Sequence, residues 1–398
     1  MTKILAFNRD RRQASADGEG KSPSVEPPQE RRRADAPAAS AEIAHIHETR
    51  PAAPIEIAVS VVIPTCGRPQ LLNRCIASLV LQRFDPARFE IIVVDDGARP
   101  SPMNAEIPGV DLSATTSADA TREVVAGWAA HTAGRGPQIT YIPSMGPHGP
   151  AAARNHGWRA AQGSIIAFTD DDTIARTDWL KNGLCAFEEG VDAVCGRIVM
   201  PLSHTPTDYE LDAKNLETAE FVTANCFCRK QVLEELGGFD ERFRFAWRED
   251  SDLHFNLIEY NANIVHEPRA VMTHPIRSAS WGVSLSQVKK VQFDALLYKK
   301  HPTLYRRKIR ATPRWDFYLT VGALLLSIAA ALAGAFAAAA LAGAVWLFLT
   351  GRFCLMRLKK TSKAPAHVIE MIVTSILIPP LAVFWRAIGA FRFRVGFL

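Results

Sequence analysis

Hydrophobic and polar positions change rhythm several times along the chain, and the changes mark out its elements. IAVSVVIP from residue 57 is an unbroken β-branched run, the pattern of a strand buried on both faces. PQLLNRCIASLVLQ follows from 69, with apolar residues at 71, 72, 76, 79 and 80, which is helical spacing. FEIIVVDDG (89–97) repeats the buried-strand pattern and ends in two carboxylates. A Pro/Ser/Thr-rich loop then leads to a helix near 118–131, a strand over 138–142 and a helix over 149–163 closed by Gly163. SIIAFT (164–169) is a fourth strand, followed at once by Asp170, Asp171 and Asp172. Asp178 reads as the cap of a helix beginning WLKNGL. Such alternation predicts a doubly wound sheet with helices on both faces and ligands at the carboxyl ends of its strands.

Beyond 190 the alternation weakens. Strands are expected over 192–200, 221–230 and 264–274, and helices over 231–243 (capped by Gly237-Gly238) and 248–260. A nucleotide-type half followed by a mixed half predicts one domain over 56–300. Residues 1–55 carry little large apolar surface and much Pro, Ala, Ser, Arg and Glu, the composition of a disordered arm. Their short opening apolar run does not read as a signal peptide.

From 317 to 350 there is no charged residue, and both flanks are basic. Basic flanks place both ends on the cytoplasmic side, so 317–350 is expected to be a membrane hairpin turning near 333–338. A basic juxtamembrane segment (301–316) precedes it and a basic cytoplasmic loop (351–367) follows. The apolar run 368–385 of the last segment (368–398), broken by Glu370 and Pro379-Pro380, is left open between spanning, re-entering and lying at the interface.

Composition hides this division. The 398 residues have a net charge of +5, yet the balance is −8 up to 297 and +13 from 298. A nucleic-acid partner is disfavoured, because the excess of base is absent from the globular part. Seven cysteines without paired CxxC spacing point to reduced thiols rather than zinc.

Three adjacent acids after a buried strand repel one another unless a cation neutralises them, and hard oxygen ligands select Mg2+ or Mn2+. Asp95-Asp96-Gly97 suits a base N–H or ribose hydroxyl, or an ordinary turn. Glu249-Asp250 lies where acids stabilise a helix N-terminus, and where a general base would also serve. Trp247 suits stacking on a sugar face or a place in the core, and His274 suits a structural role or a metal contact.

In order and spacing, VSVVIPTCGR (59–68), EIIVVDDG (90–97), GPAAARNHGWRAAQGSIIAFTDDDT (149–173), Gly-Gly-Phe-Asp (237–240) and REDSDL (248–253) resemble the inverting family 2 glycosyltransferases of GT-A fold. The resemblance covers about 57–275. It implies a GT-A-type doubly wound mixed sheet followed by C-terminal transmembrane helices. It also implies that Thr65 and Asp96 contact the nucleotide base, with Pro64, Arg68, Arg154 and Asp171 on the nucleotide-sugar side. Asp170 and Asp172 match the metal-binding carboxylates, with Mn2+ or Mg2+ as cofactor. Asp250 matches the catalytic base, and His274, with His266 as rival, the late metal-contacting histidine. Trp247 and Glu249 are the acceptor-side candidates.

The implied reaction moves a sugar, with inversion, from a nucleotide-diphosphate sugar to a hydroxyl of a lipid-linked or cell-envelope glycan acceptor, at the cytoplasmic face of the membrane. Processive members carry QxxRW before their membrane helices. Here ATPRW (311–315) lacks the Gln, so single-sugar transfer is expected. Two alternatives are a sugar-phosphate nucleotidyltransferase, which would want a Gly-rich loop after the first strand, and an inactive scaffold of the same fold.

Overall fold

A computed structural model describes residues 56–97, 117–202 and 204–397. The arm expected over 1–55 lies outside them. Eight strands form one sheet in the order β3-β2-β1-β4-β7-β6-β8-β5. They are β1 (Val59–Thr65), β2 (Phe89–Asp95), β3 (Gln138–Pro143), β4 (Ile165–Phe168), β5 (Ile174–Ala175), β6 (Ala193–Val199), β7 (Cys226–Arg229) and β8 (Ile264–Thr273). β1 pairs in parallel with both β2 and β4, and β2 with β3. β7 is antiparallel to both of its neighbours, β4 and β6, and the two-residue β5 is antiparallel to β8. The sheet is therefore mixed, with the parallel half at the N-terminal side.

Every residue of β1 and β2 is buried, as an unbroken apolar run requires. Val59, Val61 and Ile63 face one core with Leu72, Ile76 and Leu79 of helix α1 (Pro69–Val80) and Val125 of α2 (Ser117–Thr132). Val62 and the β2 residues Ile92 and Val94 face a second core. There they meet Trp158 of α3 (Pro150–Ala160), Leu233 of α6 (Lys230–Leu236) and Leu253 of α7 (Glu249–Glu259). Between these helices come α4 (Trp179–Cys185) and α5 (Asp208–Ala213), and after them α8 (Val283–Val288) and α9 (Gln292–Lys300).

Several boundaries differ from the sequence pattern. The strand expected over 221–230 is only four residues long, because a 3-10 turn occupies 223–225. Buried Asn225 holds that turn, donating to the carbonyls of Arg197 and Ala270 and accepting from Trp179 Nε1. The helix expected to 243 stops at Leu236, where Gly237 takes the left-handed conformation (φ 76°) that favours glycine. Asp178 stands at the N-cap of α4, but its carboxylate accepts from Thr177 Oγ1 and makes no cap hydrogen bond.

Three long apolar helices close the chain: α10 (Trp315–Leu332), α11 (Phe336–Leu358) and α12 (Pro365–Phe393). Each is long and apolar enough to cross a membrane by length and composition. α10 and α11 form a hairpin whose turn is Ala333–Ala335, with Gly334 at φ 74°. α11 continues to Leu358, through the first part of the expected basic loop, so Arg352 and Arg357 are helical. α12 runs unbroken through Pro379-Pro380. It packs along the α/β domain for much of its length. Glu370 near its start accepts from the Gly282 N–H, Ile378 and Ala382 meet Val288 and Val291, and Ala390 and Phe393 pack with Phe243, Phe255 and Phe293.

Candidate active site

The carboxyl ends of β1, β2, β4 and β8 and the N-terminus of α7 carry the polar cluster. Asp170–Asp172 leave β4 in a tight loop pinned by Thr173, whose Oγ1 donates to the Asp170 carbonyl at 2.8 Å. Asp171 turns inward. It is fully buried, accepts from Thr65 Oγ1 at 2.6 Å and pairs with Arg68 Nη2 at 3.0 Å. Burial, opposed by Arg68, pushes its carboxyl up to about 7. Pro64 lies within β1 opposite Val94, a backbone position.

Asp170, Asp172 and His274 bring ligand atoms within 4.8 Å of one another. His274 follows β8, its N–H bonded to the Val199 carbonyl at 2.8 Å, and its Nε2 is 3.4 Å from Asp172 Oδ1. Asp172 Oδ2 is buried without a hydrogen-bond partner, although Arg277 Nε is 3.1 Å away and Arg68 Nη1 3.8 Å. Two hard oxygens and an imidazole suit a divalent ion such as Mn2+, and the unbonded Oδ2 is an acceptor for it. His266, the other candidate, is exposed on β8 opposite Cys195, outside this group.

Asp96 stands one residue past β2. Its Oδ1 is 2.6 Å from His148 Nδ1 and its Oδ2 accepts the Gly149 N–H at 2.7 Å. Gly149 is at φ 119°, and a Cβ there would come within 2.7 Å of the Arg244 carbonyl oxygen, so only glycine brings that N–H to Asp96. Asp95 points elsewhere, accepting from Gly97 N–H and Tyr141 O–H.

Arg154 of α3, 3% exposed, ties the two halves together. Its Nη2 donates to Asp170 Oδ1 at 2.8 Å and its Nη1 to Glu249 Oε1 at 3.2 Å. Burial opposes ionisation of Asp170, but Arg154 and then His274 outweigh it, so this carboxyl is held below its ordinary value. Glu249 is thus a buried partner of Arg154. Burial first, then the neighbouring Asp250, push its carboxyl up to about 7. Asp250 accepts from the Ser251 N–H at 2.6 Å through Oδ1, and burial raises its carboxyl as well.

Arg248, before Glu249, is left-handed (φ 74°), a strained conformation for a non-glycine residue. Its guanidinium is held by Asp294 of α9 at 2.7 Å, and Asp294 also accepts from Trp247 Nε1 at 3.1 Å. Trp247 therefore serves as a strut to α9, half-buried and stacked with Arg248. Arg277, His148 and Asp294 did not figure in the sequence reading. Arg277 had one usable signal, its position three residues after His274; the other two carry none.

Residues 60–102 and 115–237 match the family model described as glycosyl transferase family 2. The chain is 29% identical over 262 residues to the pre-mycofactocin glycosyltransferase of Mycobacterium tuberculosis, covering 60% of this chain and 48% of that protein. It is 27% identical over 191 residues to glycosyltransferase AglE of Haloferax volcanii (46% of this chain, 55% of that protein). With validoxylamine A glucosyltransferase of Streptomyces hygroscopicus it shares 25% over 294 residues (62% and 57%). The chain spans about half the length of the curated relatives it matches. A solved mannosyltransferase of Pyrobaculum calidifontis, in complex with GDP-Man and Mn2+, is 20% identical with a TM-score of 0.48, covering 81% of this chain and 87% of that one.

Removing Arg154 leaves the buried Glu249 and the partly exposed Asp170 without their shared cation. R154L is expected to lower unfolding free energy by about 3–5 kcal/mol in denaturant titration of the detergent-solubilised chain. A loss below about 1 kcal/mol, the level of a surface pair, would show that Arg154 is not the buried tie described.

Proposed function

Because residues 60–102 and 115–237 match the glycosyl transferase family 2 model, we propose that this chain transfers a sugar from a nucleotide-diphosphate donor to an acceptor hydroxyl, with inversion. One observation carries the reading. A metal-capable group (Asp170, Asp172, His274) is joined through Arg154 and Glu249 to a second carboxylate, Asp250, at a helix N-terminus. The first cluster suits the donor's diphosphate and the second suits the acceptor hydroxyl.

In this mechanism Asp250 takes the proton as the acceptor oxygen attacks the anomeric carbon and the bond to the diphosphate breaks. Asp250 Oδ1 is engaged by Ser251, which leaves Oδ2 to the hydroxyl. Burial keeps the Asp250 carboxyl above its ordinary value, opposed by Ser251, Arg248 and Arg154. Asp170, Asp172 and His274 would hold Mn2+ or Mg2+, which as a bound Lewis acid neutralises the leaving diphosphate. Thr65 and Arg68 hold the buried Asp171 beneath the nucleotide side, and Asp96, just past β2, would meet the ribose or base. Direct displacement with one base, and no carboxylate acting as nucleophile, gives inversion.

Membrane attachment completes the reading. At about 1.5 Å per residue, α10 and α11 are about 27 and 35 Å long, against a hydrocarbon core of about 30 Å. Both hairpin ends lie on the domain side: Arg357 pairs with Asp208 of α5, and Phe317 packs with Val288 and Val291. The hairpin crosses and returns, α12 lies along the domain at the interface, and the basic flanks put the domain on the cytoplasmic face.

D250N should lower turnover by about 10²–10⁴-fold while Mn2+-dependent donor binding persists, measured over a panel of UDP- and GDP-sugars. Undiminished turnover would remove Asp250 as the base. Because its carboxyl is raised, activity should decline on the acid side at a higher pH than an ordinary aspartate gives. For the membrane arrangement, a cysteine at Ala338 should react with an impermeant maleimide in intact cells, and one at Lys360 only after permeabilisation. Equal labelling of both would rule out the hairpin crossing.

A further inference from the structure

Between the α/β domain and the apolar tail lies a cavity of about 250 Å3 that the mechanism leaves unused. Its walls come from the start of α5, from the 277–284 loop, from Arg357 of α11 and from His367 and Glu370 of α12. His367 is 7% exposed, and neither of its ring nitrogens has a hydrogen-bond partner. The nearest carboxylate oxygen, Glu370 Oε2, is 3.8 Å from Nδ1, beyond bonding distance. A buried, unbonded imidazole is costly unless something entering the cavity satisfies it.

The charge around it decides what could enter. Arg357 is already spent on Asp208 at 3.0 Å and on the hydroxyls of Thr374 and Ser375. Arg277 lies against Asp172. Against these two guanidinium groups stand four lining carboxylates, Asp208, Glu210, Asp212 and Glu370. A phosphate would face a net negative wall. A ring bearing several hydroxyls would not: each can donate to a carboxylate and accept from an imidazole N–H or a serine O–H. The volume is below the roughly 300–1,000 Å3 of sites for drug-sized ligands, a scale suited to one sugar ring.

We propose that this cavity is a binding site for a neutral sugar ring, held by His367 and the carboxylates around it. The proposal rests on the sugar-transfer reading above and adds to it a glycan-binding site outside the reacting centre. One connection ties the cavity to the site: Arg277 reaches from its wall to Asp172 of the metal-capable group. With α12 at the membrane surface, the ring would be the head group of a membrane-held glycan.

The test uses the full chain in phosphatidylcholine nanodiscs. Saturation-transfer NMR is run with methyl β-D-glucopyranoside, methyl α-D-mannopyranoside and methyl N-acetyl-β-D-glucosaminide, with inorganic phosphate as competitor. At least one glycoside should bind without displacement by phosphate. Its affinity should fall about tenfold in H367L, which removes both ring nitrogens, and in S280W, which blocks the exposed rim without disturbing the core. Calorimetric binding of UDP or GDP with Mn2+, retained in both variants, shows that each is folded. No glycoside signal, an affinity unchanged in both variants, or displacement by phosphate would overturn the proposal. Glycoside binding with the expected losses, but no nucleotide binding by the wild type, would instead sustain the cavity assignment and remove the transferase reading.

Discussion

The guanidinium of Arg154, buried between Asp170 and Glu249, is the contact on which the site's geometry depends. Asp170 belongs to the loop after β4 and Glu249 to the first turn of α7, so one side chain sets the spacing between the carboxylates of these two elements. Desolvating these charges is costly, and their mutual attraction in a low-dielectric interior must offset it. Burial leaves Glu249 and Asp250 raised, whereas Arg154 and then His274 hold Asp170 below its ordinary value against that burial. A stabilising tie and a division of labour between acids thus come from one interaction.

A second set of contacts fixes the acceptor side from behind. Arg248 is kept left-handed by Asp294, which also receives Trp247 Nε1, so the start of α7 is braced on α9. α12 packs on that same helix, through Ala390 and Phe393 against Phe293. The apolar tail is therefore part of the support of the site, as well as a candidate anchor. This continuity gives a physical reason for a tail joined directly to the domain at residue 300, since a flexible linker would leave α9 and α7 without their outer layer.

Much of the parallel half was legible because its signals are local. Two unbroken β-branched runs, a helical stripe and carboxylates at strand ends are repeated patterns read over a few residues, and β1, β2, β3, β4 and α1 appear where they were expected. The second half was less legible because side chains from distant segments decide it. Asn225 converts half of an expected strand into a turn by bonding to carbonyls on β6 and β8, a choice no window around 225 contains. At the tail, the basic residues 352 and 357 read as loop, yet Arg357 is helical and buried because Asp208, Thr374 and Ser375 surround it.

The candidate site divides in the same way. Which residues are candidates for the chemistry was written in the sequence: the acids at 170–172 and 249–250 and the motif order that links them to His274. What each acid does was not. Glu249 and Asp250 are neighbours with the same chemistry, and only the fold turns one onto Arg154 and leaves the other an oxygen for a hydroxyl. The opposite charge balances of body and tail likewise showed that two environments meet near residue 300. That they enclose a polar cavity with an unbonded imidazole was decided by tertiary packing, because hydrogen-bond satisfaction belongs to an arrangement of segments and not to any one of them.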